Sequence, residues 1–337
     1  DTSINMAMQP FKMMVGDMVN EKQKGLAYSI QSFLCNAGSL VGFLFPFIFT
    51  WIGISNIAPQ GVVPDSVIYS FYIGAAILIL CVIYTTVKVK EMPPAEYAEY
   101  HGITEEEKKE KINMVKLLVK APKAFWTVGL VQFFCWFAFM FMWTYTNGSV
   151  AANVFDAPTV ETVVNGANKV VLDTKSIQYQ NAADWVGVLF AVQAIGSVLW
   201  AVCIPMFKNR KLIYSLSLVL GGIGFISTYF VHNQYVLFIS FLLIGCAWAA
   251  MLALPFTILT NALSGGHMGT YLGLFNGTIC IPQIVAATLG GSILALFTPK
   301  GMLPPEINML VMAGVMLIIG AVCVYLIKET KGEQAKA

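Results

Sequence analysis

Residues 252–277, LALPFTILTNALSGGHMGTYLGLFNG, repeat the order of features in residues 8–33, MQPFKMMVGDMVNEKQKGLAYSIQSF. Pro10, Phe11, Asp17 and Gly25 correspond to Pro255, Phe256, Asn261 and Gly269, with one gap. In each copy an apolar run ends at a polar turn, and a glycine opens the next apolar run. Both copies run in the same direction and end on the same side. The chain therefore reads as two halves built on one plan.

Composition supports a membrane setting. The 337 residues are 57% hydrophobic and 11% charged, with a mean hydropathy of +0.71. A soluble domain carries about a quarter charged residues, so the chain reads as an all-α polytopic membrane protein. The net charge of +2 gives no reason to expect a nucleic-acid partner. All seven cysteines fall inside apolar runs without Cys-x-x-Cys spacing. They read as small core residues rather than disulfides or metal ligands.

A bilayer core of about 30 Å needs about 20 apolar helical residues. After a partial segment at 1–16, eight stretches qualify: 26–52, 67–89, 118–143, 183–206, 212–231, 235–262, 269–297 and 304–327. Of the 20 lysines and arginines, only Lys169, Lys175 and Lys300 fall on one set of connections. The lysine-rich side is therefore expected to be cytoplasmic, together with the C-terminus. The chain is expected to open partway through a helix, and placing the two repeat copies at helices 4–5 and 10–11 leads to the expectation of three helices upstream. The segments then become helices 4–12 of an inferred twelve, and the parallel repeats resemble the two halves of a major-facilitator fold.

The expected domains follow. Residues 1–90 hold three helices of the first bundle, 91–117 a charged cytoplasmic linker, 118–327 a six-helix second bundle, and 328–337 a cytoplasmic tail. Within the linker, 112–118 reads either as a surface amphipathic helix or as solvated chain. An external insertion at 147–182 contains VVNGANKVV, where Asn165-Gly166 suits a hairpin turn, with a plain loop as the alternative.

Asp1 is the acidic residue expected deep in the membrane. About 22 Å of helix separates it from Gly16 at 1.5 Å per residue. An ionisable group there costs a few kcal/mol and usually handles ions or substrate. With Asn5 and Gln9 it forms an i, i+4, i+8 stripe. The two readings of Asp1 are a proton site, its carboxyl pKa raised by burial, and a structural carboxylate. Further candidates for substrate contact are Gln31, Asn36, Gln132, Trp136, Asn276 and Gln283. Gln31 and Asn36 serve equally well as interhelical hydrogen-bonding groups. Gln132 and Trp136 share a face, as do Asn276 and Gln283, and Pro282 frees a backbone carbonyl in the same span. Amides and aromatic faces without a fixed cation suit a neutral polyol.

At these residues the chain resembles the glycoside–pentoside–hexuronide:cation symporter family, with sucrose transporters among its relatives. The matching pieces are Asp1 to Asp17, VQFFCWF at 131–137, GCAWAAMLALPF at 245–256 and GTYLGLFNGTICIPQIVAATLGG at 269–291. The resemblance implies a twelve-helix major-facilitator fold, proton-coupled uptake of glucosides, and Asp1 as the proton acceptor with Asn5 following it. The chain departs from that pattern where Gln31, Asn36 and Gln193 stand in spans that carry charged groups in sucrose transporters, and where Asn147 replaces an acid.

The expected function is import of a neutral glycoside, a disaccharide such as maltose or sucrose, by proton symport with alternating access across the cell membrane. The expected partners are a small sugar, H+ and lipid, with a monomeric chain and neither cofactor nor metal. A sodium-coupled carrier and a non-transporting membrane sugar sensor are the alternatives. An enzyme is disfavoured, because His101, His232 and His267 all lie in loops and the spans hold no nucleophile–base pair.

Overall fold

The computed structural model describes residues 11, 14–15, 18–19, 23–54, 63, 65–90, 93, 96, 99, 114–164, 167–262, 268–299 and 301–327. Helix α1 spans Lys24–Trp51 and α2 spans Asp65–Lys88. A short α3, Met114–Val119, precedes α4 at Lys123–Asn153. Strands β1 (Thr159–Val164) and β2 (Ala167–Leu172) follow. Then come α5 (Ile177–Cys203), α6 (Arg210–Ser227), α7 (Leu237–Ala262), α8 (Met268–Phe275), α9 (Gly277–Phe297) and α10 (Ile307–Cys323). Among the described residues, seven helices have the length and apolar character to cross a bilayer, and the 28-residue α1 occupies the first complete predicted span.

The helix boundaries have local causes. Pro122 sits extended ahead of α4, where the N–H it lacks has no intrahelical use. That proline divides the predicted stretch at 118 into the end of α3 and the start of α4. Ser176 caps α5 by accepting from the Tyr179 N–H at 3.3 Å, and Asn209 caps α6 through Leu212 at 3.0 Å. At its far end α4 continues ten residues past the predicted 143. Its polar side chains bond back along the helix: Ser149 Oγ donates to the Tyr145 carbonyl and Asn153 Nδ2 to that of Ser149. The insertion expected at 147–182 is therefore a connection of 154–176. Within it β1 and β2 pair antiparallel, with Val164 opposite Ala167. That register leaves Asn165-Gly166 as a two-residue turn, although those two residues lie outside the described set.

Six long helices make one bundle. Helix α7 packs on α5 and α6, α6 on α10, α10 on α4, and α4 on α9. The core is apolar and centred on α4, with Phe125, Phe139, Phe141 and Met142 buried. Helix α1 lies against α5 and α7, and the Phe43 and Phe190 rings meet at 5.7 Å. Helix α2 rests on α1, and Phe71, Tyr72 and Leu80 on it are exposed among the described residues.

The α5–α7 contact is backbone against backbone. A Cβ at Gly196 would stand 2.6 Å from the Leu242 carbonyl oxygen, and one at Gly245 would collide with the Gln193 carbonyl and the Ser197 N–H. Lipid tails are as apolar as the helices themselves, so association in a bilayer depends on this kind of close approach.

Candidate functional site

The polar centre of the bundle is Gln132 on α4, which is 2% exposed. Its Nε2 donates to the Met251 carbonyl at 3.0 Å and to the Tyr214 hydroxyl at 3.2 Å. Its Oε1 accepts from Trp136 Nε1 at 2.6 Å. The bond to Met251 has a covalent origin. Pro255 lies inside α7 and has no N–H to give the carbonyl four residues earlier. Gln132 supplies from α4 the donor that α7 lacks, which ties α4, α6 and α7 together at one point. In this arrangement Gln132 positions Trp136 and has no donor left over.

Trp136 belongs to a group of three indoles. Trp136 and Trp143 come from α4 and Trp248 from α7. Trp248 meets Trp136 edge-on at 5.8 Å and Trp143 at 5.7 Å, while Phe139 supports it at 4.8 Å. Trp143 is 41% exposed and the other two are half-buried, so indole surface remains available. Sequence reasoning found Trp136 and missed its two neighbours. The signal for Trp143 was its seven-residue spacing from Trp136 on one helix face. Nothing local placed Trp248 against them.

A second polar feature is the break at Asn276 between α8 and α9. Its N–H is shared between the Leu272 and Gly273 carbonyls, both at 3.2 Å. Thr278 Oγ1 satisfies the Phe275 carbonyl at 2.7 Å. Among the described residues Asn276 Oδ1 is buried without a hydrogen-bond partner, and its Nδ2 reaches only the Cys280 sulfur at 3.8 Å. Six residues on, Pro282 sits inside α9, so the Thr278 carbonyl also loses its usual donor. The predicted span at 269–297 keeps the length and apolar character of one span but is divided at Asn276 into α8 and α9, and interrupted helices recur at transporter binding sites. The break lies beside α4, where Thr278 and Phe275 fill the space next to Gly129.

The other candidates divide by position. Gln31 on α1 and Gln283 on α9 are half-buried, and Asn36 is fully buried at 0% exposure. No hydrogen bond joins Gln31, Asn276 or Gln283 to the Gln132–Trp136 pair among the described residues. Asp1, Asn5 and Gln9 lie outside the described residues. No cluster of three His, Cys, Asp or Glu occurs among the described residues.

The brace can be tested directly. Gln132→Leu is expected to cost about 1–3 kcal/mol of stability, because the buried Met251 carbonyl is left without a partner and the Trp136 N–H loses its acceptor. In a Pro255→Ala background the restored N–H serves Met251, and the same substitution should cost about 1 kcal/mol less. Thermal unfolding of the purified variants measures both. Equal costs in the two backgrounds would contradict the brace.

In sequence, the profile described as Major Facilitator Superfamily matches residues 4–165 and residues 161–337. No curated protein sequence matches the chain. In structure, it is similar to a single-residue variant of the E. coli fucose:proton symporter, with a TM-score of 0.56 and 14% identity. That alignment covers 94% of this chain and 72% of the symporter. At such identity the likeness speaks for the fold alone.

Proposed function

This chain belongs to the major facilitator superfamily, whose members are membrane transporters and not enzymes, and from that premise we propose that it imports a neutral glycoside by proton-coupled symport. The observation that carries the sugar reading is the platform of Trp136, Trp143 and Trp248. Indole faces cover the apolar face of a pyranose ring, and amide side chains elsewhere in the bundle would match its hydroxyls. Asn276 Oδ1, buried and without a partner among the described residues, suits a hydroxyl donor. Between Lys123 and the hairpin, α4 carries no charged residue to fix an anion. The structural neighbour is described as a fucose:proton symporter, so its solute and ion are of the same chemical kind.

In this reading Trp136 contacts the sugar and Gln132 holds it in place, with Gln31, Asn36, Asn276 and Gln283 as further polar contacts. Asp1 takes the proton, and Asn5 and Gln9 are further polar contacts for the solute. A buried carboxyl is neutral when loaded, and its charge on release favours hydration at the opposite side. The hairpin end of the bundle is external in this orientation, and the C-terminus is cytoplasmic. Glucosides of two rings, maltose or sucrose among them, are the proposed class, in keeping with the family resemblance drawn from residues 245–256 and 269–291.

A panel of mono- and disaccharide glycosides, scored by thermal stabilisation of the purified full chain, tests the substrate class. A ligand at 100 times its Kd should add about 2.7 kcal/mol. A panel in which no neutral glycoside stabilises the protein and a charged solute does would contradict the proposal.

A further inference from the structure

Glu306 is a carboxyl that the transport reading does not use. It stands one residue before α10, at the hairpin end of the bundle, and is half-buried. As the residue preceding a helix it is placed to cap that helix, yet its side chain makes no capping hydrogen bond. It reaches across to α4 instead. There Gly148 leaves a notch, and the Glu306 carboxyl fills the space that any Cβ at position 148 would need. Only a glycine on α4 lets the group sit at that depth.

The surroundings offer no compensating charge. From α4 the facing titratable group is Tyr145, whose charge would oppose that of Glu306. Helix α9, also packed on α4, contains no charged residue, and on α6 the charges Arg210 and Lys211 stand at the opposite end. Lys300, in the preceding connection, lies outside the described residues. No ion pair or hydrogen bond to the Glu306 carboxyl occurs among the described residues.

We propose that Glu306 is a second proton-binding site, whose protonated form docks in the Gly148 notch and whose ionised form leaves it for water. The proton would then govern contact between the hairpin ends of α4 and α10, which pack along each other. Burial raises the Glu306 carboxyl from 4.5 to about 7. The sign follows: docking is fully favoured below about 4.5 and is lost as pH rises through about 7. That window places the switch in the range where external pH varies. The site does not depend on the identity of the transported solute, and only its assignment to the external side rests on the orientation proposed above.

Infrared difference spectroscopy of the purified full chain reads the site without any transport assay. The wild type is expected to show a protonated-carboxyl band that titrates with a midpoint near 7. Glu306→Gln should lack that component and retain the rest of the spectrum. Gly148→Ala, which keeps the carboxyl but fills the notch, should lower the midpoint by one unit or more toward 4.5. Identical titrations in the wild type and Glu306→Gln would overturn the proposal. A Gly148→Ala midpoint unchanged from the wild type would overturn the role of the notch.

Discussion

Replacing Gly245 with valine is expected to destabilise the bundle by about 3 kcal/mol or more, at the upper end of overpacking costs. The neighbours that a side chain at 245 would meet are the Gln193 carbonyl, the Ser197 N–H and the Gly196 backbone. No rotamer change relieves such a clash, because all three are main chain of α5. The helices must move apart, and α7 would carry Pro255 and the Met251 carbonyl with it, loosening the bond to Gln132. Gly38→Val on α1 is the matched control. Among the described residues nothing lies within 4 Å of the position its Cβ would take, so against these neighbours its effect should stay within about 0.5 kcal/mol. Thermal unfolding in detergent compares the pair, and similar melting temperatures for both would contradict the α5–α7 packing described here.

The second large effect concerns Asp1. With one proton per sugar, a membrane potential of 100 mV supplies about 2.3 kcal/mol. That corresponds to roughly 40-fold accumulation, at 1.4 kcal/mol per factor of ten. Asp1→Asn keeps the shape and the hydrogen-bonding capacity but cannot release a proton. Accumulation is expected to fall to about one-fold, simple equilibration, while exchange of labelled for unlabelled sugar continues. Concentrative uptake at the wild-type level would remove Asp1 from the coupling step and leave the sugar site intact.

The sequence carried most of the fold because a bilayer leaves few choices. Every backbone polar group in hydrocarbon must be satisfied within its own helix, so apolar length identifies the spans, and each complete candidate stretch coincides largely with helix. The ends were less legible. The polar run Asn147-Gly-Ser149 looks like a loop by composition, yet back-bonding along the helix keeps it within α4 to Asn153. The break at Asn276 was hidden inside one apolar stretch, since Thr278 and Asn276 satisfy the interrupted backbone locally.

The candidate site was legible only residue by residue. Gln132 and Trp136 stood out because an amide facing lipid is costly and because they lie one turn apart. That Gln132 answers Pro255, 123 positions further on, is a tertiary fact that one-dimensional spacing does not carry. The same holds for Trp248 against Trp136 and for Glu306 against Gly148. In each pair one partner is conspicuous in sequence and the other becomes meaningful through packing.

The central claim is that sugar moves with a proton. The full chain in sealed proteoliposomes, given the glycoside that stabilises it best, should accumulate that sugar when the outside is made acidic. Collapse of the gradient by a protonophore should release it, and an inward sodium gradient at equal pH should drive nothing. Accumulation indifferent to the pH gradient, or driven by sodium alone, would contradict the account.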